Sequence, residues 1–127
     1  MRDLPRSRTF YEAIGATSNP QFSDDTSACM VFSDTIHVML LTHAKWSVFT
    51  QKPIPDAQAP SEVRLALSAQ SRTSVNEITD AATSTGGVAE INAPQDHGFM
   101  FGRSFEDPDG HIWEIVWMDP SAIPAGG

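Results

Sequence analysis

The sequence predicts a single α+β domain made of two similar units. At 127 residues the chain has the length of one domain, and its content of 40% hydrophobic and 19% charged residues is ordinary for a globular protein. Helical and alternating patterns follow one another as helix-strand-strand-strand and then as strand-helix-strand-strand-strand. Residues 62–119 therefore form a complete βαβββ unit, and residues 1–42 form the same unit without its opening strand.

The first unit begins with an amphipathic helix over residues 4–15, which ends at Gly15. Two strands are predicted over residues 19–22 and 27–33, and a third over residues 35–42. The third strand is rich in aliphatic residues, so we expect both of its faces to be buried. The apolar positions at helical spacing are Leu4, Phe10, Tyr11 and Ile14.

Residues 43–61 are expected to link the two units. The segment 43–50 can form one or two helical turns. Beyond it a continuing helix or strand is ruled out by prolines, which lack the backbone N–H and fix φ. These prolines are Pro53, Pro55 and Pro60. After the second unit, the tail over residues 120–127 is rich in proline, alanine and glycine and is expected to be flexible.

The second unit opens with a strand over residues 62–69, where aliphatic side chains alternate with smaller or polar ones. A helix follows, capped by Ser71 or Ser74 and ending at Gly86-Gly87, and Ser74 with Glu77 fits a capping box. Three further strands are predicted over residues 88–91, 99–106 and 111–118. The last two are close enough in sequence to pair as a hairpin.

The turn of this hairpin is the most informative segment of the chain. Asp107 can hydrogen-bond its own backbone, and Gly110 can take the left-handed conformation that closes a three-residue loop. Asp107 and His111 are then the closing pair, and counting outward places Ser104 opposite Glu114. One face therefore carries Glu114 among small and polar residues, as expected of a ligand or metal site. The opposite face is apolar and contains Phe101, Phe105, Trp113, Ile115 and Trp117.

Composition and charge exclude several partners. Sixteen acidic and eight basic residues give a net charge of −8 and a pI near 4.7, which repels phosphate backbones and anionic membranes. We therefore expect neither nucleic acid nor a membrane as a partner, and the acidic balance weakly favours a cationic ligand.

The chain has no apolar run of membrane-spanning length and no apolar signal-peptide stretch, so a cytoplasmic location is expected. The single cysteine, Cys29, excludes an internal disulfide and is expected to lie in the core.

Three segments together resemble the vicinal oxygen chelate superfamily, which includes glyoxalase I, bleomycin-resistance proteins, fosfomycin-resistance enzymes and extradiol dioxygenases. They are residues 3–15, Gly86-Gly87 and residues 107–114, and they cover both units. The resemblance implies that the two modules curl into an open cup, with the helices outside and the ligand inside. The missing first strand leaves an unpaired edge, which a homodimer would cover; alternatively, a longer native chain would supply that strand.

The resemblance also implies metal-ligand positions on the first and last strands of each module. Glu114 matches the last-strand glutamate of the second module, but Arg64 stands where a histidine is expected, and the first module offers only Val38, Met39 or Leu40. A guanidinium has no lone pair to donate to a metal ion. We therefore expect an ion pair between Arg64 and Glu114, because a partly buried glutamate needs a partner. Its role can be structural or ligand-binding.

Two functions of different classes follow. The first is a metal-free, homodimeric small-molecule-binding protein without a cofactor, whose ligand lies in the cup or at the dimer interface. The alternative is a metal-dependent lyase, isomerase or dioxygenase that holds a divalent ion through Glu114 and either His37 or His43. A third possibility is a scaffold without any site. The residues expected to bind ligand are Met39, Trp46, Arg64, Ser68, Met100, Ser104 and Glu114.

Overall fold

The computed structural model describes residues 1–56, 58 and 63–122, and it confirms the α+β class. Its helices are α1 (Leu4–Ala13), α2 (His43–Phe49) and α3 (Arg72–Ser84). Its strands are β1 (Thr17–Asn19), β2 (Ser27–Val31), β3 (His37–Leu41), β4 (Arg64–Ser68), β5 (Val88–Ala89), β6 (Gln95–Asp96), β7 (Met100–Glu106) and β8 (Ile112–Met118). The first three strands form one antiparallel sheet, and the others form a second sheet in the order β4-β8-β7-β5, with β6 beside β7.

Helix α1 forms where the apolar spacing predicts it. The Asp3 side chain caps the first turn by accepting a hydrogen bond from the Arg6 amide at 3.0 Å, and Pro5 occupies an early position that needs no N–H. The helix stops before Gly15, whose φ of 114° lies in the left-handed region. Its buried face packs against the first sheet and against α3.

Strand β1 lies earlier than predicted. The predicted strand over residues 19–22 is wrong, because Pro20–Phe22 form a 3₁₀ turn that follows Thr17–Asn19. Pro20 lacks the N–H that a strand would use, and the Asn19 side chain caps the turn by accepting a hydrogen bond from the Gln21 amide at 3.0 Å.

Strand β3 is buried on one face only, so the expectation of two buried faces is wrong. Leu40 is buried, whereas His37 and Met39 on the opposite face are exposed. Because β3 is an edge strand whose inner face alone meets the core and α1, its aliphatic composition does not bury its outer face.

Two local predictions for the second unit need correction. Ser71, not Ser74, caps α3: the Ser71 hydroxyl accepts a hydrogen bond from the Ser74 amide at 3.0 Å, so the predicted capping box with Glu77 is wrong. The strand predicted over residues 88–91 is shortened to β5 because Glu90 adopts a left-handed φ of 60°. The short strand β6 was not predicted.

The hairpin β7-β8 has the predicted turn and register. The Asp107 amide donates a hydrogen bond to the His111 carbonyl at 2.9 Å, and Gly110 has a φ of 98°. Ser104 lies opposite Glu114 as predicted. The apolar face of the hairpin turns toward the core, where Phe105, Trp113 and Ile115 are buried and Phe101 and Trp117 are partly buried.

An aromatic cluster joins the two units. The ring centroids of Phe10 and Phe105 are 5.9 Å apart, as are those of Tyr11 and Trp113, and Phe32 lies 6.0 Å from Trp113. These edge and tilted contacts place α1 and the first sheet on the apolar side of the second sheet. The opposite face of the second sheet, which carries Glu114, is therefore not covered by α1 or the first sheet.

Several predictions fall partly on residues outside the described ranges. These are the later part of the predicted linker, the start of its following strand at residue 62, and tail residues 123–127. Within the described ranges, the linker contains α2, as predicted, and Pro120–Ala122 form a 3₁₀ turn. No described helix has the length and apolar character required to cross a membrane.

Candidate functional site

The centre of the candidate site is an ion pair between two neighbouring strands. Strands β4 and β8 run parallel, in a register that pairs Arg64 with Ile112 and Ala66 with Glu114. The Nη2 atom of Arg64 lies 3.1 Å from the Oε2 atom of Glu114. The predicted ion pair is thereby confirmed.

The two members of the pair differ in exposure. The Glu114 side chain is 18% exposed, whereas the Arg64 side chain is 51% exposed. Among the described residues, the second carboxylate oxygen of Glu114, Oε1, has no further polar partner. The pair therefore leaves both a carboxylate oxygen and part of a guanidinium available to a ligand.

A cavity of about 140 Å³ surrounds this pair. Gly102 on β7 leaves room for it: a Cβ atom built at this position would lie 3.7 Å from Glu114 Oε1 and 3.5 Å from Val116 Cγ2. The lining residues are Arg64, Asn92, Ala93, Gln95, Gly102, Arg103, Ser104 and Glu114.

Ser104 lines the cavity, but its hydroxyl is already engaged. It accepts a hydrogen bond from the Asn92 amide at 3.1 Å and donates one to the Asn92 carbonyl at 3.3 Å. The Ser104 carbonyl also accepts a hydrogen bond from the Glu90 amide at 2.9 Å. Ser104 thus holds the loop that carries Asn92 against the cavity.

Arg103 supports the same loop from the other face of β7. Its Nε atom donates to Glu90 Oε1 at 2.6 Å, and its Nη1 atom donates to Asn76 Oδ1 at 2.9 Å and to Asp80 Oδ1 at 3.4 Å. The left-handed backbone of Glu90 is held in place by this contact and by its bond to Ser104. The charge of Arg103 is therefore balanced away from the cavity.

The other predicted ligand-binding residues lie outside this cavity as the described residues outline it. Ser68 lies opposite Val116, and Met100 lies opposite Met118 at the start of β7. Met39 on β3 of the first unit and Trp46 on α2 in the linker are about half exposed. Their role in binding stays a prediction.

Five of the lining residues were not among those predicted to bind ligand: Asn92, Ala93, Gln95, Gly102 and Arg103. Asn92 follows the strand predicted over residues 88–91, and Gln95 begins β6, which was not predicted. Gly102 breaks a strand pattern otherwise rich in larger side chains, and a glycine inside a strand indicates a close approach or an open space. Gly102 was therefore the one feature of the sequence that indicated a cavity at this point of β7.

The donor set around Glu114 does not fit a metal ion. Among the described residues, no group of three or more histidine, cysteine, aspartate or glutamate side chains could hold one. His37 begins β3 in the first unit and His43 begins α2 in the linker, and both are exposed. The partner of Glu114 is Arg64, which cannot coordinate a cation.

A second polar cluster lies at the hairpin turn, with the buried Asp107 carboxylate at its centre. The Tyr11 hydroxyl donates to Asp107 Oδ2 at 2.7 Å and accepts a hydrogen bond from Trp113 Nε1 at 3.1 Å. The Nδ1 atom of His111 lies 2.9 Å from Asp107 Oδ2. This cluster ties α1 to the second unit.

The groups of this cluster shift one another's pKa. Burial, followed by repulsion from the Asp107 carboxylate, raises the pKa of Tyr11 far above its usual value. The hydrogen bond to Asp107 raises the pKa of His111 against the opposing effect of burial. Burial opposes ionisation of Asp107, but the bonds from His111 and Tyr11 outweigh it and lower its pKa.

The fold and the site define a class of protein: paired β-rich units with outer helices and an open, polar cavity on the second sheet. A sequence model of the Glyoxalase/Bleomycin resistance protein/Dioxygenase superfamily matches residues 1–115. The chain belongs to this superfamily, within the vicinal oxygen chelate group that the sequence resembles.

Solved structures share this fold. The hypothetical protein SA1046 from S. aureus is 21% identical with a TM-score of 0.78, over 92% of this chain and 87% of that one. A glyoxalase/bleomycin resistance protein/dioxygenase family enzyme from Burkholderia phytofirmans PsJN is 14% identical with a TM-score of 0.75, over 93% and 92%. The fosfomycin resistance protein FosX from Listeria monocytogenes is 18% identical with a TM-score of 0.65, over 92% and 83%. A search of curated proteins finds no match.

Proposed function

We propose that this chain is a metal-free small-molecule-binding protein that holds its ligand at Arg64 and Glu114. The observation that carries the proposal is an ion pair that lines a cavity and still has unsatisfied hydrogen-bonding capacity. A pair with free capacity in a concave site is suited to orienting a ligand.

The arginine supplies the positive charge that a metal ion would supply in a metal-dependent relative. Unlike a metal ion, it offers several N–H donors in a fixed plane, so it can orient a ligand but cannot activate a bound water. Binding without metal chemistry is the function that this substitution supports. The similar structures include a resistance protein and a family enzyme, and neither activity follows from a shared fold alone.

A homodimer in the cytoplasm is part of the proposal. The cavity of about 140 Å³ is smaller than the roughly 300–1,000 Å³ of most ligand sites. A second subunit would enlarge and enclose it. Helix α2 has exposed apolar side chains at Trp46, Val48 and Phe49 that such an interface would cover. A stable monomer detected by light scattering would contradict the proposed homodimer.

The binding function is tested by a thermal-shift screen of a small-molecule library in the presence of a chelator. A compound that binds the native state must raise the melting temperature. Gly102→Leu fills the cavity, while Gly102→Ala adds only a Cβ at ordinary contact distances and controls for the fold. We expect stabilising compounds to lose their effect in the leucine variant and to keep most of it in the alanine variant. If no compound stabilises the wild type, the proposal is wrong.

The metal-dependent alternative gives a different result in the same screen. A panel of divalent ions added to chelator-treated protein would then stabilise it, and Glu114→Gln would abolish that effect. We expect no ion to stabilise the wild type more than it stabilises Glu114→Gln.

A further inference from the structure

Resting on the proposed function, we infer that the ligand presents a zwitterionic group to this cavity, as a small α-amino acid does. Its ammonium group contacts the Oε1 atom of Glu114, and its carboxylate contacts the exposed edge of the Arg64 guanidinium. The inference follows from which atoms of the ion pair are engaged and which are not.

The free oxygen of Glu114 calls for a hydrogen-bond donor. Oε2 lies 3.1 Å from Arg64, but Oε1 has no further polar partner among the described residues. Oε1 faces the space above Gly102, at 3.7 Å from the position of an added Cβ. Since the Glu114 side chain is only 18% exposed, a charged donor from a ligand gains more there than at the open surface.

The free edge of Arg64 calls for an oxyanion. A guanidinium has five N–H donors in one plane, and only Nη2 contacts Glu114. The side chain is 51% exposed on the cavity side of β4, so the remaining donors are accessible. Paired N–H groups in a plane match the two oxygens of a carboxylate.

The local charge balance separates a zwitterion from a simple ion. Arg64 and Glu114 contribute one charge of each sign to the cavity, and the charge of Arg103 is balanced by Glu90 and Asp80 outside it. A simple cation bound to Glu114 would be repelled by the neighbouring Arg64, and a simple anion bound to Arg64 would be repelled by Glu114. The net charge of −8 acts mainly through residues farther away, where salt screens it over roughly 8–10 Å.

The size of the cavity fits a small polar group. Its volume of about 140 Å³ is below the roughly 300–1,000 Å³ of most ligand sites, so it admits only a small group. The side-chain amides of Asn92 and Gln95 on the rim can accept or donate further hydrogen bonds.

The test is calorimetric titration of the wild type with alanine, propionate and ethylamine in a chelating buffer. Propionate lacks the ammonium group of alanine, and ethylamine lacks its carboxylate. We expect alanine to bind at least roughly tenfold more tightly than either, because each lost charge-assisted contact costs about that factor. Glycine and serine extend the series to a smaller and a more polar side chain.

Single variants then assign each contact. Glu114→Gln should weaken alanine binding at least roughly tenfold without weakening propionate, and Arg64→Gln should weaken alanine without weakening ethylamine. The simple ions do not lose affinity because each variant removes the charge that disfavours them. Arg2→Gln removes another exposed, ion-paired arginine outside this cavity and should change nothing. Urea unfolding of each variant confirms that it is folded.

The outcomes distinguish this inference from the proposed function. The inference is wrong if propionate or ethylamine binds the wild type as tightly as alanine. It is also wrong if every library compound that binds the wild type but not Gly102→Leu lacks a zwitterionic group. In both cases the proposed function stands. If no compound binds at all, both are wrong. Selective binding of the small amino acids, lost in both charge variants, supports both.

Discussion

Arg64 and Glu114 meet across two neighbouring parallel strands, with Nη2 and Oε2 3.1 Å apart, and both line the candidate cavity. The arginine on β4 offers hydrogen-bond donors and no lone pair for a metal ion. Because the Arg64 side chain is half exposed, we expect the pair to contribute little to the free energy of unfolding. A loss of binding in its variants can therefore be separated from a loss of stability.

The ion pair should matter little for stability. Because Arg64 is 51% exposed, we expect Arg64→Gln, Glu114→Gln and the double variant each to lower the free energy of unfolding by about 1 kcal/mol or less. Urea unfolding of the four proteins gives the coupling between the two side chains. A loss above roughly 3 kcal/mol for either single variant would indicate a structural pair instead.

Tyr11 should remain un-ionised wherever the protein is folded. The chain contains one tyrosine, so the increase in ultraviolet absorbance that accompanies tyrosine ionisation reports this group alone. Burial and the Asp107 carboxylate raise the pKa of Tyr11 far above its usual value, so tyrosinate should be absent at roughly pH 11, where a free tyrosine is mostly ionised. Absorbance should rise only when circular dichroism shows unfolding. A normal titration curve in folded protein would contradict the buried hydrogen bond, and Tyr11→Phe supplies the baseline.

The pair of His111 and Asp107 should make stability depend on pH in a defined direction. The pKa of His111 is raised in the fold, so its contribution is complete below the unfolded value of about 6.5 and is lost as the pH rises through the folded value. The pKa of Asp107 is lowered, so its contribution is lost as the pH falls through that lower value. The stability difference between wild type and His111→Asn should therefore shrink from weakly acidic toward alkaline pH. A difference that grows over that range would refute this assignment.

Substitution by alanine should destabilise the protein much more at Gly87 than at Gly102. A Cβ at Gly87 would lie 2.7 Å from the Glu106 carbonyl oxygen and 2.8 Å from the Ala82 carbonyl oxygen, and backbone atoms cannot move away cheaply. We expect Gly87→Ala to cost about 1–3 kcal/mol. Gly102→Ala, with contacts no closer than 3.5 Å, should change the free energy of unfolding far less. Equal losses in urea unfolding would contradict the difference in packing.

The features that local rules determine were predictable from the sequence. The turn at Asp107 and Gly110 sets the hairpin register by itself, and the register puts Glu114 on the polar face. The resemblance then identified Arg64 as its partner. These two steps were sufficient to locate the centre of the site.

The features that depend on tertiary contacts were not predictable. Glu90 leaves the strand pattern because Arg103 and Ser104 hold it in a left-handed conformation, and this displacement brings Asn92 to the cavity. The outer face of β3, with His37 and Met39, is exposed in the part of the chain that the structure describes, which the aliphatic composition of the strand does not reveal. The extent of the cavity therefore required the structure.

The most direct test of a metal-free site at Arg64 and Glu114 is a calorimetric titration with a ligand identified by screening, performed on protein kept in excess chelator. The account predicts saturable binding at one site per chain, unchanged by the chelator and weakened at least roughly tenfold in both Arg64→Gln and Glu114→Gln. Binding that disappears in the chelator, returns with a divalent ion and is insensitive to Arg64→Gln would contradict it.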